Sequence, residues 1–261
     1  MGPRDIFAYA AALLKFRNPG RLVLDRLRLQ SAPYRITTRT DIELTLHPGG
    51  PGDRFTCFET FGKDVYGTAL ECIGLGDVVI DIGANIGCFT LAAWRAVGAG
   101  GTVVALEPES RNFTRLTDHL AANNATSVTP LNLALADHDG QLTLIVPTNQ
   151  SLLVSKFDTV GGRSIAGGTE QVSCMTLASL MGEHRIAHVT LLKLDCEGAE
   201  HEIVAALTPE LASRIDHIAM EIHDVAGWDS LSTIAHLEAL GYEHQFRQTH
   251  LFSRRPTVQP G

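Results

Sequence analysis

Val78-Val79-Ile80-Asp81-Ile82-Gly83-Ala84-Asn85-Ile86-Gly87-Cys88-Phe89-Thr90 is the stretch that decides the fold. An apolar run, Val78-Val79-Ile80, ends in Asp81 and breaks at Gly83. The turn Gly83–Gly87 then opens into an apolar, helix-compatible segment, Cys88–Val97. A buried parallel strand that delivers a tight loop to a helix N-terminus is where α/β folds bind nucleotide-like ligands. The spacing is not the dinucleotide one. A G-x-G-x-x-G loop from Gly83 needs glycines at 85 and 88, and the chain has Asn85 and Cys88. The loop reads Asp-x-Gly-x-x-x-Gly, which points away from a pyrophosphate and toward a different adenosine ligand.

Outward from this stretch the rhythm is βαβα. Strands are expected at 78–82, 102–107, 128–134, 189–194 and 215–222, with helices near 88–97, 110–122, 176–182 and 198–207. Strands alternating with helices predict a parallel sheet covered on both faces. Gln141–Val146 alternates with period two and is expected as an added edge strand. Residues 147–169 are rich in Ser, Thr and Gly without periodicity, and are expected to form a mobile loop. After a helix near 229–240 stopped by Gly241, Tyr242–Phe246 and Thr249–Ser253 are expected as an antiparallel hairpin at the sheet edge. Upstream, Ile6–Phe16 reads as a packing helix rather than a signal peptide, since Asp5 precedes it and no convincing cleavage site follows. Residues 34–46 read as a short hairpin, Pro48–Gly52 as a loop and Phe55–Phe61 as a short strand. The chain thus divides into an N-terminal helical and hairpin extension, 1–65, as a cap or substrate-side element, and a ligand-binding domain, 66–261.

Composition narrows the partners. A chain of 261 residues can bury one enlarged α/β core, and it contains no run of 18 or more apolar residues. Five scattered cysteines without a C-x-x-C pair suit a reduced, cytoplasmic protein and disfavour structural zinc. The net charge of −8 hides an asymmetry: residues 1–40 carry eight Lys/Arg against two acids, +6, and the remaining 221 carry 13 against 27, −14. An acidic body argues against nucleic acid as a partner. The basic arm is either solvated or docked on its own body, or else makes weak peripheral contact with an anionic membrane.

Three features fall at the C-terminal ends of strands, where open α/β sheets bind ligands. The glycines of the Asp81–Gly87 loop let backbone approach a ligand, and an acid such as Asp81 suits a sulfonium cation. Glu107 ends the strand Val103–Leu106 and can accept both hydroxyls of a ribose; its alternative role is to cap the helix that follows Pro108. Lys193-Leu-Asp195-Cys196-Glu197-Gly198-Ala-Glu200 places three carboxylates past another buried strand. For a general base, the candidates are Asp195, Glu197, Glu221 and His223. His223 reads equally as a base with a suitable intrinsic pKa and as a surface imidazole. His201 reads as solvent-facing, and Cys196, set between carboxylates, is rejected as a nucleophile. Asp195 with Glu197 could alternatively take a divalent metal; no metal is assigned.

Asp81-Ile-Gly-Ala-Asn-Ile-Gly87, Glu107-Pro108, Asn132-x-Ala134 and Asp195-Cys-Glu197-Gly198-Ala-Glu200 resemble the FkbM family of class I S-adenosylmethionine-dependent methyltransferases, over roughly Asp77–Ile222. The resemblance implies a Rossmann-like, seven-stranded, mostly parallel sheet with helices on both faces and the last strand inserted antiparallel. It implies S-adenosyl-L-methionine as the cofactor. Gly83, Ala84, Asn85 and Gly87 would approach its methionine part, Glu107 and Pro108 its ribose, and Asn132, Ala134 and Leu135 its adenine. Tyr66, in Val65-Tyr66-Gly67, lies where relatives often carry a tyrosine near the cofactor, and Asp195 counts among both the cofactor and the catalytic candidates. Cys88 stands where relatives commonly place an aromatic residue. The resemblance further implies O-methylation of a hydroxyl on a sugar, glycolipid or secondary metabolite, with the acceptor chosen by the regions outside the shared core. Two alternatives remain open at the level of sequence: an NAD(P)-dependent oxidoreductase, which lacks both the glycine spacing and a Tyr-x-x-x-Lys pair, and a non-catalytic binding module.

Overall fold

In the computed structural model, which describes residues 9–48, 52–147, 154–157, 159–160, 163–164, 167–247 and 249–256, a helical turn α1 (9–13) leads into α2 (Gly20–Arg26). Ala12 and Phe16 are buried, as the packing-helix expectation requires; residues 6–8 lie outside the described residues. The alternation at 34–46 gives a hairpin of β1 (Tyr34–Thr37) and β2 (Glu43–Leu46), with Tyr34, Ile36, Leu44 and Leu46 buried on one side. The expected strand at Phe55–Phe61 is instead helical: α3 (Gly52–Cys57) runs into a single π-helical turn, Phe58–Lys63. Its buried residues, Cys57, Phe58 and Thr60, cluster as one helical face and not as alternate positions. Of the expected loop at 48–52, residues 49–51 lie outside the described residues, and Gly52 already opens α3.

From here the alternation is regular. α4 (Gly67–Glu71), β3 (Val78–Ile82), α5 (Cys88–Val97), β4 (Thr102–Leu106), α6 (Ser110–Ala122) and β5 (Val128–Leu131) follow in order. The strand expected over 128–134 stops at Leu131, because the Asn132 side chain turns to the carbonyls of Glu107 (2.9 Å) and Pro108 (3.0 Å). Ala134–Leu135 then forms β6. It belongs to a separate three-stranded sheet with β7 (Gly140–Pro147) and β10 (Gly167–Met175). Gln141–Val146 is therefore no edge strand of the main sheet, since its backbone groups pair with β10. The span 147–169 is not wholly a loop either: β8 (Thr159–Val160) pairs with β9 (Arg163–Ser164), and β10 begins at Gly167. Residues 148–153, 158, 161–162 and 165–166 of that span lie outside the described residues.

The chain closes with α7 (Leu177–Glu183), β11 (Val189–Leu194), α8 (Glu200–Ala205), α9 (Pro209–Ala212), β12 (Ile215–Glu221), α10 (Ser230–Ala239), β13 (Glu243–Arg247) and β14 (His250–Arg254). Side-chain caps set several helix starts: Thr176 on the Ser179 N–H, Thr208 on Leu211, and Asp229 on Leu231 and Ser232. Gly241 at φ +88° follows α10, as its expected stop.

The main sheet has the order β13-β14-β12-β11-β3-β4-β5. The five strands from β12 to β5 run parallel, and β14 is inserted antiparallel between β12 and β13. Pro130 is tolerated because β5 is an edge. Adjacent residues on each strand point to opposite cores. Val79, Val103 and Leu191 pack with α5, α6 and the N-terminal hairpin, while Ile80, Val104 and Leu192 pack with residues of α7, α8 and α10. Both faces are thus buried, and the extension's Phe16, Leu22, Ile36 and Leu44 share the core of one of them.

Candidate active site

β3, β4, β11 and β12 deliver their C-terminal ends to one cleft, open at its mouth. Under it sits an ion pair. Asp81 and Lys193 are register partners on neighbouring strands, both buried, with Lys193 Nζ 3.1 Å from Asp81 Oδ1. Thr90 donates to Asp81 Oδ2 at 2.6 Å, and Lys193 donates to the carbonyl of Gly83 at 2.9 Å. Burial alone would lower the lysine's pKa, but Asp81 and Asp195 outweigh it and hold it raised. Asp81 therefore does not line the cleft, contrary to its expected role beside a sulfonium. Its charge is spent on the lysine that pins the loop. Lys193 itself was not singled out by sequence, although a lone lysine inside Leu191-Leu192-Lys193-Leu194 was a visible signal.

The glycines serve packing. A Cβ on Gly83, at φ +74°, would lie 1.9 Å from the carbonyl oxygen of Asp195, and one on Gly87, at φ +88°, would lie 2.6 Å from the end of Leu116. Gly83, Ala84 and Asn85 line the cleft; Gly87 lies behind it as the residue before α5. Asn85, also at positive φ, donates its backbone N–H to Glu107 Oε2 at 2.7 Å.

Glu107 is buried at the cleft wall and accepts a second backbone bond, from Glu109 N–H at 3.0 Å. Burial pushes its carboxyl up to about 7, against those two donors. The capping alternative is settled by geometry, because Glu109 caps α6, accepting from Asn112 N–H at 2.7 Å. Pro108, Leu133, Ala134 and Leu135 continue this wall, while Asn132 stays behind it as the brace of the Glu107 turn. Phe89, one residue past Cys88, supplies an aromatic side chain in the cleft and packs at 5.1 Å against the Tyr66 ring.

On the opposite side Tyr66 donates to Asp195 Oδ2 at 2.7 Å. Burial would raise the pKa of Asp195, but Lys193, His223 and the Tyr66 hydroxyl together hold it below the usual range. Glu197 lines the cleft at φ +52°; burial above all, with Asp195 and Glu221 nearby, lifts it to about 8. His223 stands behind Glu197, its Nε2 3.4 Å from Glu197 Oε2. Its Nδ1 and its backbone N–H both lie 2.9 Å from Oε1 of the fully buried Glu200. Burial opposes the proton on His223, but the bond to Glu200 and the surrounding carboxylates outweigh it and raise the imidazole to about 10. His223 is thus neither a surface imidazole nor a base poised near neutrality. It does not line the cleft, and the carboxylates around it favour its protonated form. His201, expected in solvent, is buried, bonded to Thr233 (2.7 Å) and to the His223 carbonyl (2.8 Å), and stacked on Trp228. Cys196 is raised well above a normal thiol, chiefly by burial and then by Glu200, consistent with its rejection as a nucleophile.

Several cleft residues that the sequence did not single out come from the extension, 1–65, and from the span 147–169. α3 and the π-turn contribute Phe55, Thr56, Glu59 and Thr60, and Lys156 reaches in from the β7–β8 connection. Glu59 is raised to about 7 by burial, with Glu221 and Asp195 adding to the push and Lys63 opposing it. One donor atom each from Asp195, Glu221 and His223 lie within 4.8 Å of one another, a set that could hold a divalent cation. Two of its members are already engaged, Asp195 by Tyr66 and Lys193 and His223 by Glu200.

Sheet order, glycine loop and strand-end acid define an α/β protein of the class I methyltransferase architecture, with its ligand cleft at the strand C-termini. The sequence profile described as "Methyltransferase FkbM domain" matches residues 81–247, and the chain belongs to that family of methyltransferases. The match runs 25 residues past the C-terminal limit of the motifs, Ile222, and takes in α10 and β13. The chain is similar to "Methyltransferase 1" of Beauveria bassiana (27% identity, 63% of this chain and 71% of that protein). It is also similar to "31-O-demethyl-FK506 methyltransferase FkbM" of Streptomyces tacrolimicus (28% identity, 58% and 67%). A solved methyltransferase FkbM from Methylobacillus flagellatus is 14% identical, with a TM-score of 0.46 over 77% of this chain and 53% of that one.

Proposed function

We propose that the chain transfers a methyl group from S-adenosyl-L-methionine to a hydroxyl oxygen of a sugar, glycolipid or secondary metabolite in the cytoplasm. The observation that carries the cofactor is Glu107. It is a buried strand-end carboxylate relieved of helix capping by Glu109, set between the glycine loop and the Leu133–Leu135 wall. That donor set fits an adenosine: a carboxylate for vicinal hydroxyls, an apolar wall for the base, and loop backbone for an amino-acid tail. Nothing on the loop offers the extra glycines a pyrophosphate needs. The oxygen acceptor is supported by the name of the Streptomyces relative, a 31-O-demethyl-FK506 methyltransferase.

The sulfonium of the cofactor supplies an already activated methyl group, so the chain's own task is alignment and deprotonation. Rigid placement of two reactants supplies several kcal/mol, up to roughly 7–11 in the best-aligned cases. Glu197 is the base: it lines the cleft, and its carboxyl near 8 is matched to proton transfer around neutral pH. His223, held by Glu200, positions Glu197 from behind. Asp195, fixed by Tyr66 and Lys193, orients the acceptor beside it. Calorimetry tests the reading: S-adenosylmethionine should bind the folded protein and NAD should not. Binding of NAD in its place would sink it.

A further inference from the structure

Leucine side chains crowd the outer surface of the N-terminal segment: Leu14, Leu24, Leu27 and Leu29 are 66, 42, 60 and 68% exposed. On α2 the division is sharp. Leu22 and Asp25 face inward three residues apart, whereas Leu24 and Leu27 occupy the other side next to Arg21. Arg28 follows in the left-handed region at φ 58° and ends the helix, and Leu29 comes next. Residues 9–40 carry seven Lys/Arg, all exposed. Their one acid, Asp25, is buried against Tyr34 and Arg54. No carboxylate therefore reaches the surface over residues 9–40, and apolar and cationic side chains are interleaved there. Residues 41–261 sum to −14.

We propose that this face docks the protein on an anionic lipid surface, with Leu24 and Leu27 entering the headgroup region and Arg21 and Arg28 pairing with lipid phosphates. The charge division selects both partner and orientation. An anionic bilayer attracts this cationic face, where Arg17 and Arg35 pair with acids beyond it, Asp41 and Glu43, and repels the acidic body. Apolar side chains beside the arginines add the burial that charge alone lacks. The docking does not depend on which methyl acceptor is used. The face is one layer from the cleft mouth, since Asp25 of α2 pairs with Arg54 of α3 at 3.1 Å, and the next two residues, Phe55 and Thr56, line the cleft.

Co-sedimentation of the full chain with vesicles decides it. Binding is expected to vesicles of equal parts phosphatidylcholine and phosphatidylglycerol, not to phosphatidylcholine alone, and should weaken as salt rises. Arg21→Gln with Arg28→Gln should weaken binding roughly 30-fold, from about 1 kcal/mol per basic residue near an anionic surface. Leu24→Ser with Leu27→Ser should weaken it at least about 10-fold. All four side chains are exposed, so melting temperature and S-adenosylmethionine titration should be unchanged in both variants. No binding by the parent chain, or binding indifferent to both pairs, overturns the proposal. So does a dimer, seen by light scattering, that Leu24→Ser with Leu27→Ser dissociates while vesicles are ignored; the face would then join two copies of the chain.

Discussion

The two sides of the cleft are built differently. The side carrying the glycine loop, Glu107 and Leu133–Leu135 comes from three consecutive strand ends within 53 residues, and backbone groups hold most of it in place. The side carrying Glu59, Asp195, Glu197 and Glu221 gathers groups from the π-turn, β11 and β12, up to 162 positions apart, and side chains hold it through a charge network. A backbone-held site keeps one geometry for one ligand. A side-chain network can be re-specified residue by residue. Lys193 joins the two sides, bonded to the Gly83 carbonyl and close to Asp195.

That joint is where the largest effect is expected. Lys193→Met leaves Asp81 buried and unpaired, and stability should fall by about 3–5 kcal/mol. A melting temperature near the parent's would show that the two sides are not joined there. Next comes the loop. Both glycines have left-handed φ, but Gly83→Ala also drives a Cβ into the Asp195 carbonyl and should cost roughly 3 kcal/mol, whereas Gly87→Ala meets the flexible end of Leu116 and should cost less. Equal losses in denaturant titrations would undo the claim that Gly83 exists to admit Asp195. On the acceptor side, Glu197→Gln should cut turnover about 100-fold and leave cofactor affinity alone. A base must be ionised, so parent turnover should rise with pH through about 8. A limb near 10 would assign the base to His223 instead. The smallest effect is expected at Glu59→Gln, about a 10-fold rise in acceptor KM with kcat nearly kept, if Glu59 only hydrogen-bonds the acceptor.

The same division explains what could be read from sequence. Strand ends, the glycine loop and Glu107 were legible because apolar runs and fixed offsets along one βαβ unit encode them. The seven strands and the inserted antiparallel strand came with the resemblance. Asp81 was misread because its partner, Lys193, meets it only through strand register 112 positions away. His201 was misplaced because Thr233, which satisfies its ring, comes from another helix. The π-turn left no periodic trace, so Glu59 stayed hidden among residues that looked like a strand.

In the proposed mechanism Glu107 holds the cofactor and Glu197 does not. Titrating S-adenosylmethionine into the parent, Glu107→Ala and Glu197→Gln proteins separates the two roles. Glu107→Ala should weaken binding about 10- to 150-fold, the equivalent of roughly 1.5–3 kcal/mol for hydrogen bonds to a charged group. Glu197→Gln should bind like the parent. Undiminished affinity in Glu107→Ala, or an equal loss in both variants, would contradict the separation of the two sides.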